Sequence, residues 1–317
     1  MSAVRPELGA TRPASAHGAS AYGRPVIKQP TWTPEIPMYF YAGGLAGASA
    51  AFALASSLRG EDAVARRAWA TAAAGAAVSP ALLISDLGQP KRFLHMLRMF
   101  KITSPMSVGS WILAGFGTAT MPAAAHAFMG AYPRRAGLGP AGVIAQRASA
   151  ALGLPLAAYT AALIANTSIP VWHHARRELP FLFVAGAAAS AGAAATMLAP
   201  TEEAGGARRL ALAGAAGELA LTQYMEHRLD QQRVGEPYHE GPAGILARAA
   251  KAMTAAGAAS LALRGRRSRR WAVAGGGLVT AGALAERWAI FRAGFQSAAR
   301  AQDTVAPQRA RLVERAR

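Results

Sequence analysis

Residues 38–58 read MYFYAGGLAGASAAFALASSL, a run of 21 residues without a charged side chain. A helix rises about 1.5 Å per residue, so a run of this length covers about 30 Å, the thickness of a bilayer's hydrocarbon core. Alanine and glycine dominate the run, and small residues let helix backbones approach closely inside a membrane. The segment therefore predicts a membrane-spanning helix that packs against other helices.

Seven further apolar runs follow along the chain. The predicted spans are residues 38–58, 68–84, 108–128, 148–165, 181–198, 207–224, 245–263 and 271–290. Apolar residues make up 52% of the chain and charged residues 16%, which is unlike an ordinary soluble protein. A soluble alanine-rich bundle is the alternative, but its helices would carry charges on an outer face, and the first five runs carry none.

The sequence therefore predicts an all-α integral membrane protein with eight transmembrane helices. Its predicted parts are a polar N-terminal arm over residues 1–33, a transmembrane domain over 34–291 and a basic tail over 292–317.

The net charge of +18 comes from cations in the connections and at both ends of the chain. Short loops rich in Lys and Arg remain in the cytoplasm. The connections with the denser cations lie near residues 59–67, 129–147, 199–206 and 264–270, so we predict that these face the cytoplasm of a plasma-membrane protein. The outward face then holds both termini and the connections near residues 85–107, 166–180 and 225–244.

The connection after the second span has an unusual composition, with acid, base, Gly and Pro in residues 85–93 and a second polar segment at 103–111. We expect a membrane-surface connection there, and the alternating apolar and basic residues of 93–101 predict an interfacial helix. Asp86 heads the connection. It could cap a helix, pair with Lys91 or Arg92, or take part in proton transfer or docking.

Glu35 and Tyr39 lie four residues apart at the start of the first span. On a helix they share one face, so a carboxylate and a phenol could both reach one ligand oxygen. The alternative is a hydrated acid beside an aromatic belt, which accounts for many tyrosines at span ends.

Three ionisable residues, His126, Glu218 and Glu286, fall inside predicted spans, where such groups are costly unless they are paired or hydrated. Glu286 adjoins Arg287, so we expect an ion pair between them or exposure at the membrane edge. Glu218 has no basic neighbour within a helical turn, so it is the stronger candidate for proton transfer, with His126 as a second member of such a path.

Four segments together resemble the NrfD/polysulfide reductase membrane-subunit family. They are residues 34–47 (PEIPMYFYAGGLAG), 86–93 (DLGQPKRF), 105–111 (PMSVGSW), and 159–180, which runs from Tyr159 through Pro-Val-Trp to Leu-Pro. The resemblance covers about residues 30–200, and beyond residue 200 it depends on the number and length of the spans alone.

The resemblance implies eight helices in two four-helix bundles, without haem or an iron–sulfur cluster in this chain. It implies an iron–sulfur partner subunit, a molybdopterin catalytic subunit and exchange of electrons with membrane quinone, for which the composition favours menaquinone. The implied quinone site lies near the outer face and contains Glu35, Tyr39 and Tyr159, with Asp86 at its border.

The predicted docking site lies on the same outward face. We expect the outward connection to dock the iron–sulfur subunit through Gly88, Pro90, Arg92, Phe93, His95, Ser107 and Trp111. No metal site is expected. Two other functions remain open: a secondary transporter that binds a coupling ion at Glu218 and Asp86, and a purely structural membrane anchor.

Overall fold

The computed structural model describes residues 26–89, 91–130 and 138–305. All regular secondary structure in these ranges is helical. The elements are α1 Glu35–Leu58, α2 Asp62–Asp86, α3 Arg92–Met96, α4 Pro105–Met129, α5 Gly139–Ala165, α6 Pro170–His174, α7 Leu179–Leu198, α8 Gly205–Gln231, a 3₁₀ turn Glu236–Tyr238, α9 Gly241–Leu263 and α10 Arg269–Ala299. Most of the predicted arm (residues 1–25), the end of the predicted tail (306–317) and Pro90 lie outside the described residues.

Each predicted span lies inside one of the eight long helices of the described ranges. Within these ranges, α1, α2, α5 and α7 are long and apolar enough to cross a membrane. The largest difference is in α10, which continues to Ala299 instead of ending near residue 290. Its last turns keep burying small and aromatic residues, among them Phe291, Gly294 and Ala298, so the helix has no reason to end at the last strongly apolar position.

The long helices form two groups of four. In the first group α1 packs against α2 and α5, and α4 packs against α2 and α5. In the second group α7 packs against α8 and α10, and α9 packs against α10 and α8. Helix α7 also contacts α1 and α5, and α1 contacts α10, so α7 and α1 join the two groups.

Contacts between connections define two ends of the molecule. At the end that we call the arginine end, Arg67 lies 3.9 Å from Glu203, and Arg269 donates to the carbonyl oxygen of Ala199 at 2.7 Å. At the opposite end, which we call the motif end, Thr33, two residues before α1, is hydrogen-bonded to Asp86 at the end of α2. The contacts therefore group the same connections that the charge pattern assigned to each side.

Helices α1 and α5 touch through their backbones at a pair of glycines. A β-carbon on Gly47 would lie 2.2 Å from the carbonyl oxygen of Gly153, and one on Gly153 would lie 2.4 Å from that of Gly47. No real side-chain atom tolerates such a distance, and a backbone neighbour cannot rotate away. Small residues are thus required at this crossing, as expected for helix packing inside a bilayer.

We expect Gly47→Ala to destabilise the protein by about 1–3 kcal/mol, because the new methyl group forces α1 and α5 apart. Gly277→Ala is the matched control, since Gly277 also lies within a helix but has open space around it. The control should be neutral or stabilising by up to about 1 kcal/mol, because Ala favours a helix over Gly. The measurement is the thermal unfolding midpoint of the purified protein in detergent, and equal midpoints for the two variants would contradict the packing argument.

Candidate functional site

Two tyrosine hydroxyls meet between α1 and α5. Tyr39 Oη lies 2.9 Å from Tyr159 Oη, and the two side chains are 0% and 9% exposed. A hydrogen bond between two hydroxyls uses only one of their two protons. Within the described residues neither hydroxyl has a further hydrogen-bond partner, so the second proton can be donated to an acceptor beside the pair. The structure thus brings together two of the residues that the resemblance assigned to one ligand.

Glu35 is the first residue of α1 and is partly buried. It lies one helical turn before Tyr39, on the same face of the helix. A carboxylate at this position also faces the positive end of the helix dipole, which stabilises its charged form. The start of α1 therefore places an acid next to the turn that carries the tyrosine hydroxyl.

Gly109, in the segment 105–111, makes room for Tyr159. A β-carbon at Gly109 would lie 1.7 Å from Cε2 of Tyr159, so any side chain there would displace the ring. The neighbouring Ser110 is buried, and its hydroxyl donates to the carbonyl oxygen of Met106 at 2.8 Å. Helix α4 therefore presents bare backbone to the tyrosine, which gives this segment a physical role in shaping the site.

Asp86 joins the end of α2 to Thr33, which lies two residues before α1. Its Oδ1 atom accepts hydrogen bonds from Thr33 N at 3.0 Å and Thr33 Oγ1 at 2.6 Å. In the described part of the chain it forms no ion pair with Lys91 or Arg92, because its acceptor atom is directed towards Thr33 instead. Asp86 thus fixes the position at which α1, and with it Glu35, begins.

Two of the predicted docking residues hold their own connection in shape. Ser107 Oγ accepts from Lys101 N at 3.0 Å and donates to the carbonyl oxygen of Met99 at 3.0 Å. Trp111 Nε1 donates to the same carbonyl oxygen at 3.4 Å, and the ring packs edge-on against Phe100 at 6.3 Å between centroids. Their visible contacts are therefore internal to the segment between α3 and α4.

The predicted interfacial helix over residues 93–101 is shorter in the structure, where α3 ends at Met96. The chain leaves the helix because its following backbone groups bond to Ser107. Helix α3 buries no residue, and Arg92 and His95 are exposed while Phe93 is partly buried. Gly88, with a φ of +65°, forms the exposed turn after α2.

The surface of this connection is both apolar and basic. Its exposed apolar side chains are Leu94, Met99, Phe100, Ile102, Met106 and Trp111. Exposed cations are interleaved with them, at Lys91, Arg92, Arg98 and Lys101. Such a surface is suited to the headgroup region of a membrane or to a partner that covers it.

A second polar centre is buried among the helices of the second group. Arg287 Nη1 lies 3.6 Å from Glu218 Oε1, and each of these residues is 2% exposed. Arg287 also donates to the carbonyl oxygen of Phe183 at 3.0 Å and lies 4.1 Å from the centre of its ring. A β-carbon at Gly186 would lie 2.2 Å from Glu218 Oε1, so this glycine gives the ion pair its space.

Glu286 is not exposed at a membrane edge, and the ion pair predicted between it and Arg287 is not the one that forms. It is 2% exposed, and Thr222 Oγ1 lies 3.5 Å from its Oε1 atom. Adjacent residues on a helix point about 100° apart, and this separation directs Arg287 towards Glu218 on α8. The partner of Glu218 therefore comes from another helix, where neighbours along the sequence give no indication of it.

The polar centre extends towards the motif end. Glu226, one further turn along α8, forms an ion pair with Lys251 of α9 at 2.6 Å. Tyr238 is buried in the turn that follows α8, and burial raises its pKa well above the usual range, with Glu286 and Glu226 adding to the effect. A chain of ionisable side chains thus runs from Arg287 to Tyr238.

His126 stands apart from this chain. It belongs to α4, in the first helix group, and its Nδ1 atom accepts a hydrogen bond from Leu138 N at 3.0 Å. A β-carbon at Gly142 would lie 2.2 Å from the same ring nitrogen. The observed contacts of His126 therefore connect the end of α4 to the start of α5.

Sequence reasoning missed Arg287, Glu226 and Lys251 as members of the buried centre. One signal was present, because Glu218, Thr222 and Glu226 are spaced four residues apart and so form one stripe on α8. The cations that neutralise this stripe lie on other helices. Their register against α8 is a property of the packed structure.

We expect Glu218→Gln to destabilise the protein by about 3–5 kcal/mol, because it leaves the Arg287 charge buried without its carboxylate. The double variant Glu218→Gln/Arg287→Met should recover part of that loss. Glu203→Gln is the control: its ion pair with Arg67 is half-exposed and is worth at most about 1 kcal/mol. Thermal unfolding in detergent checks all three, and a single variant as stable as the control would show that the buried pair contributes little.

The comparison with protein families identifies the family of the chain. A family model described as polysulphide reductase, NrfD, matches residues 27–211. The match includes more than half of the chain and contains Tyr39, Asp86, Gly109 and Tyr159. No curated protein matches the sequence. Because the family model matches more than half of the chain, the chain belongs to the NrfD polysulphide reductase family.

Proposed function

We propose that this protein is the membrane anchor and quinone-reactive subunit of a multisubunit oxidoreductase that contains molybdopterin and iron–sulfur centres. It passes electrons between an iron–sulfur partner subunit and membrane quinone, with menaquinone as the expected quinone. The observation that carries the proposal is the buried hydroxyl pair of Tyr39 and Tyr159 at the motif end. One proton of the pair is available for a quinone carbonyl oxygen.

Membership of the NrfD family supports this proposal. NrfD proteins are membrane subunits of quinone-linked oxidoreductases, and they partner with iron–sulfur subunits. The matched residues 27–211 include the tyrosines and all of the connection between α2 and α4. This placement favours a site in the first helix group.

The proposed topology has eight spans. Four helices meet the length and hydropathy expected of spans, and the other four long helices pack alongside them. Two ion pairs, Glu226 with Lys251 and Glu218 with Arg287, join α8 to α9 and α10, which is how ionisable residues are accommodated within a bilayer. The cation-rich arginine end would face the cytoplasm and both termini the outside.

The residues that would hold the quinone surround the start of α1. The Tyr39 and Tyr159 pair would donate its one free proton to a quinone carbonyl oxygen, and Gly109 would keep the Tyr159 ring in place. Glu35 and Asp86 are the titratable groups at this end that could deliver protons from water. Bound quinone would supply an acceptor for two electrons and two protons.

Protons could also move through the second helix group. The buried chain from Glu218 and Arg287 through Glu286 to Tyr238 leads towards the motif end. Ionisable groups placed inside a membrane are typical of proton relays. His126 remains a predicted contributor from the arginine end.

The iron–sulfur partner would dock on the motif end. The exposed connection around α3 combines apolar and basic side chains, and Ser107 and Trp111 hold it in a defined shape. A defined surface next to the tyrosine pair would keep the distance between a partner's cluster and the quinone short. Docking through Gly88, Arg92, Phe93 and His95 follows from the same placement.

A secondary transporter is the competing function. Transporters typically bind ions where helices are interrupted near the middle of the membrane. Helices α2, α4 and α5 each contain a proline, yet each continues as one helix in the structure. This continuity favours the quinone-reactive subunit.

We expect Tyr39→Phe and Tyr159→Phe to lower quinone reduction by the purified complex about five- to tenfold. Each change removes one hydroxyl from the pair, and a hydrogen bond to the reacting ligand is worth about 1–1.5 kcal/mol. The measurement is the rate of quinone reduction with the partner subunits attached. Tyr224→Phe is the matched control, since its side chain is 58% exposed on α8.

Two outcomes would contradict this proposal. If both tyrosine variants reduce quinone at the rate of the control, the site assignment is wrong. If the full-length protein purifies from its host without any iron–sulfur protein, the anchor function is wrong.

Asp86 gives a separate test, because its two proposed roles respond differently to substitution. Asp86→Asn keeps an oxygen acceptor for Thr33 but removes the titratable carboxyl, whereas Asp86→Ala removes both. We expect the Asn variant to keep the wild-type unfolding midpoint while losing about tenfold in quinone reduction, and the Ala variant to lose both. Asp62→Asn, at the other end of α2, is the control, and full activity of Asp86→Asn would leave Asp86 with only its structural role.

A further inference from the structure

Two adjoining cavities lie at the arginine end of the helices. The larger cavity, of about 530 Å³, is a partly open groove lined by α1, α5, α7 and α8, with apolar walls formed by residues such as Phe52, Leu154 and Val184. At one end of it stand Arg59 and Arg209. The cavity is therefore amphipathic along its length, with an apolar body and a cationic end.

The smaller cavity, of about 410 Å³, continues from this cationic end. Arg209 lines both cavities, and Arg208 and Arg266 line the second one together with a single acid, Glu202. Three guanidinium groups against one carboxylate leave an excess of positive charge in this cavity. The start of α8 at Gly205 also lines it and adds the positive end of a helix dipole.

Arg208 carries a buried hydrogen-bond donor without an acceptor among the described residues. It is 9% exposed, and its buried Nη1 atom has no hydrogen-bond partner among the described residues. Leaving a buried donor on a charged group unsatisfied is costly, and an anionic ligand would satisfy it. By contrast, Arg59 already has a carboxylate nearby, since its Nε atom lies 3.6 Å from Glu61 Oε1.

We infer that these two cavities form a binding site for one anionic phospholipid. The acyl chains occupy the apolar cavity between the two helix groups, and the phosphate contacts Arg208, Arg209 and Arg266. The cationic end lies at the ends of α1 and α8, which is the depth of the lipid headgroups in the proposed orientation. Basic pockets between transmembrane helices on the cytoplasmic side are suited to such headgroups.

Neither the apolar cavity nor the arginine-lined cavity identifies the ligand by itself. A neutral apolar molecule fills the larger cavity but leaves the Arg208 donor without an acceptor. Free inorganic phosphate satisfies the guanidinium groups but leaves the apolar cavity empty. A diacyl anionic lipid meets both requirements.

The test is lipid retention by the full-length protein. Protein purified in detergent is incubated with phosphatidylglycerol or with phosphatidylcholine, and bound lipid is counted by native mass spectrometry. We expect one phosphatidylglycerol per protein, held about tenfold more tightly than phosphatidylcholine. Arg208→Gln/Arg209→Gln should reduce phosphatidylglycerol binding about tenfold or more and leave phosphatidylcholine binding unchanged, because charge-assisted hydrogen bonds are lost.

Two further variants complete the test. Arg270→Gln is the matched control, an exposed arginine at the same end that lines neither cavity, and it should bind phosphatidylglycerol like the wild type. Ala188→Leu, which narrows the apolar cavity, should weaken phosphatidylglycerol binding without changing the charge. The proposal is overturned if the protein retains the two lipids equally, or if the control and the double variant lose phosphatidylglycerol binding equally. It is also overturned if inorganic phosphate alone competes and Ala188→Leu has no effect.

Discussion

The contact between the backbones of α1 and α5 determines much of the remaining structure. The two helices run in opposite directions and touch at Gly47 and Gly153. Tyr39 lies eight residues before the first glycine and Tyr159 six residues after the second, which is about 12 Å and 9 Å towards the motif end. Because the backbones are in contact, two tyrosine side chains suffice to bridge the helices, and their hydroxyls meet. Bulkier residues at the crossing would separate the helices and leave the hydroxyls out of reach of each other.

The buried charges obey a second constraint. In a bilayer, an ionisable side chain that is not neutralised is costly, so a buried charge is stabilised by an opposite charge inside the protein. Glu218 forms an ion pair with Arg287 on α10, and Glu226 forms one with Lys251 on α9. These ion pairs connect α8 to α10 and α9 in the second group, where alanine and glycine side chains offer little specific packing. The same groups that could move protons therefore also specify how this group assembles.

The sequence predicts well what depends on composition and local pattern. The eight long helices of the described ranges follow from the apolar runs, and the family resemblance places Tyr39 and Tyr159 at one site. The sequence fails where the outcome depends on helix register. It predicts that Glu286 either pairs with its neighbour Arg287 or is exposed, because nothing in one helix shows which face meets α8. It also failed where polar residues decide between helix and loop, as when Ser107 captures the backbone after α3. The positions of helices can thus be predicted from local sequence patterns. The faces through which helices contact each other cannot be predicted from them.

The two polar centres are joined by a continuous path of aromatic contacts. The ring of Tyr39 lies 6.3 Å from that of Phe40, and Phe40 lies 5.8 Å from Phe183 on α7. Arg287 contacts the same Phe183 through both its ring and its carbonyl oxygen. Any change in the charge of the Glu218 and Arg287 pair therefore acts on Phe183, which packs against Phe40, the residue next to Tyr39. In the proposed function this is a physical link by which events at the quinone site and the charge state of the second helix group would influence each other, because Phe183 of α7 contacts both Phe40 and Arg287.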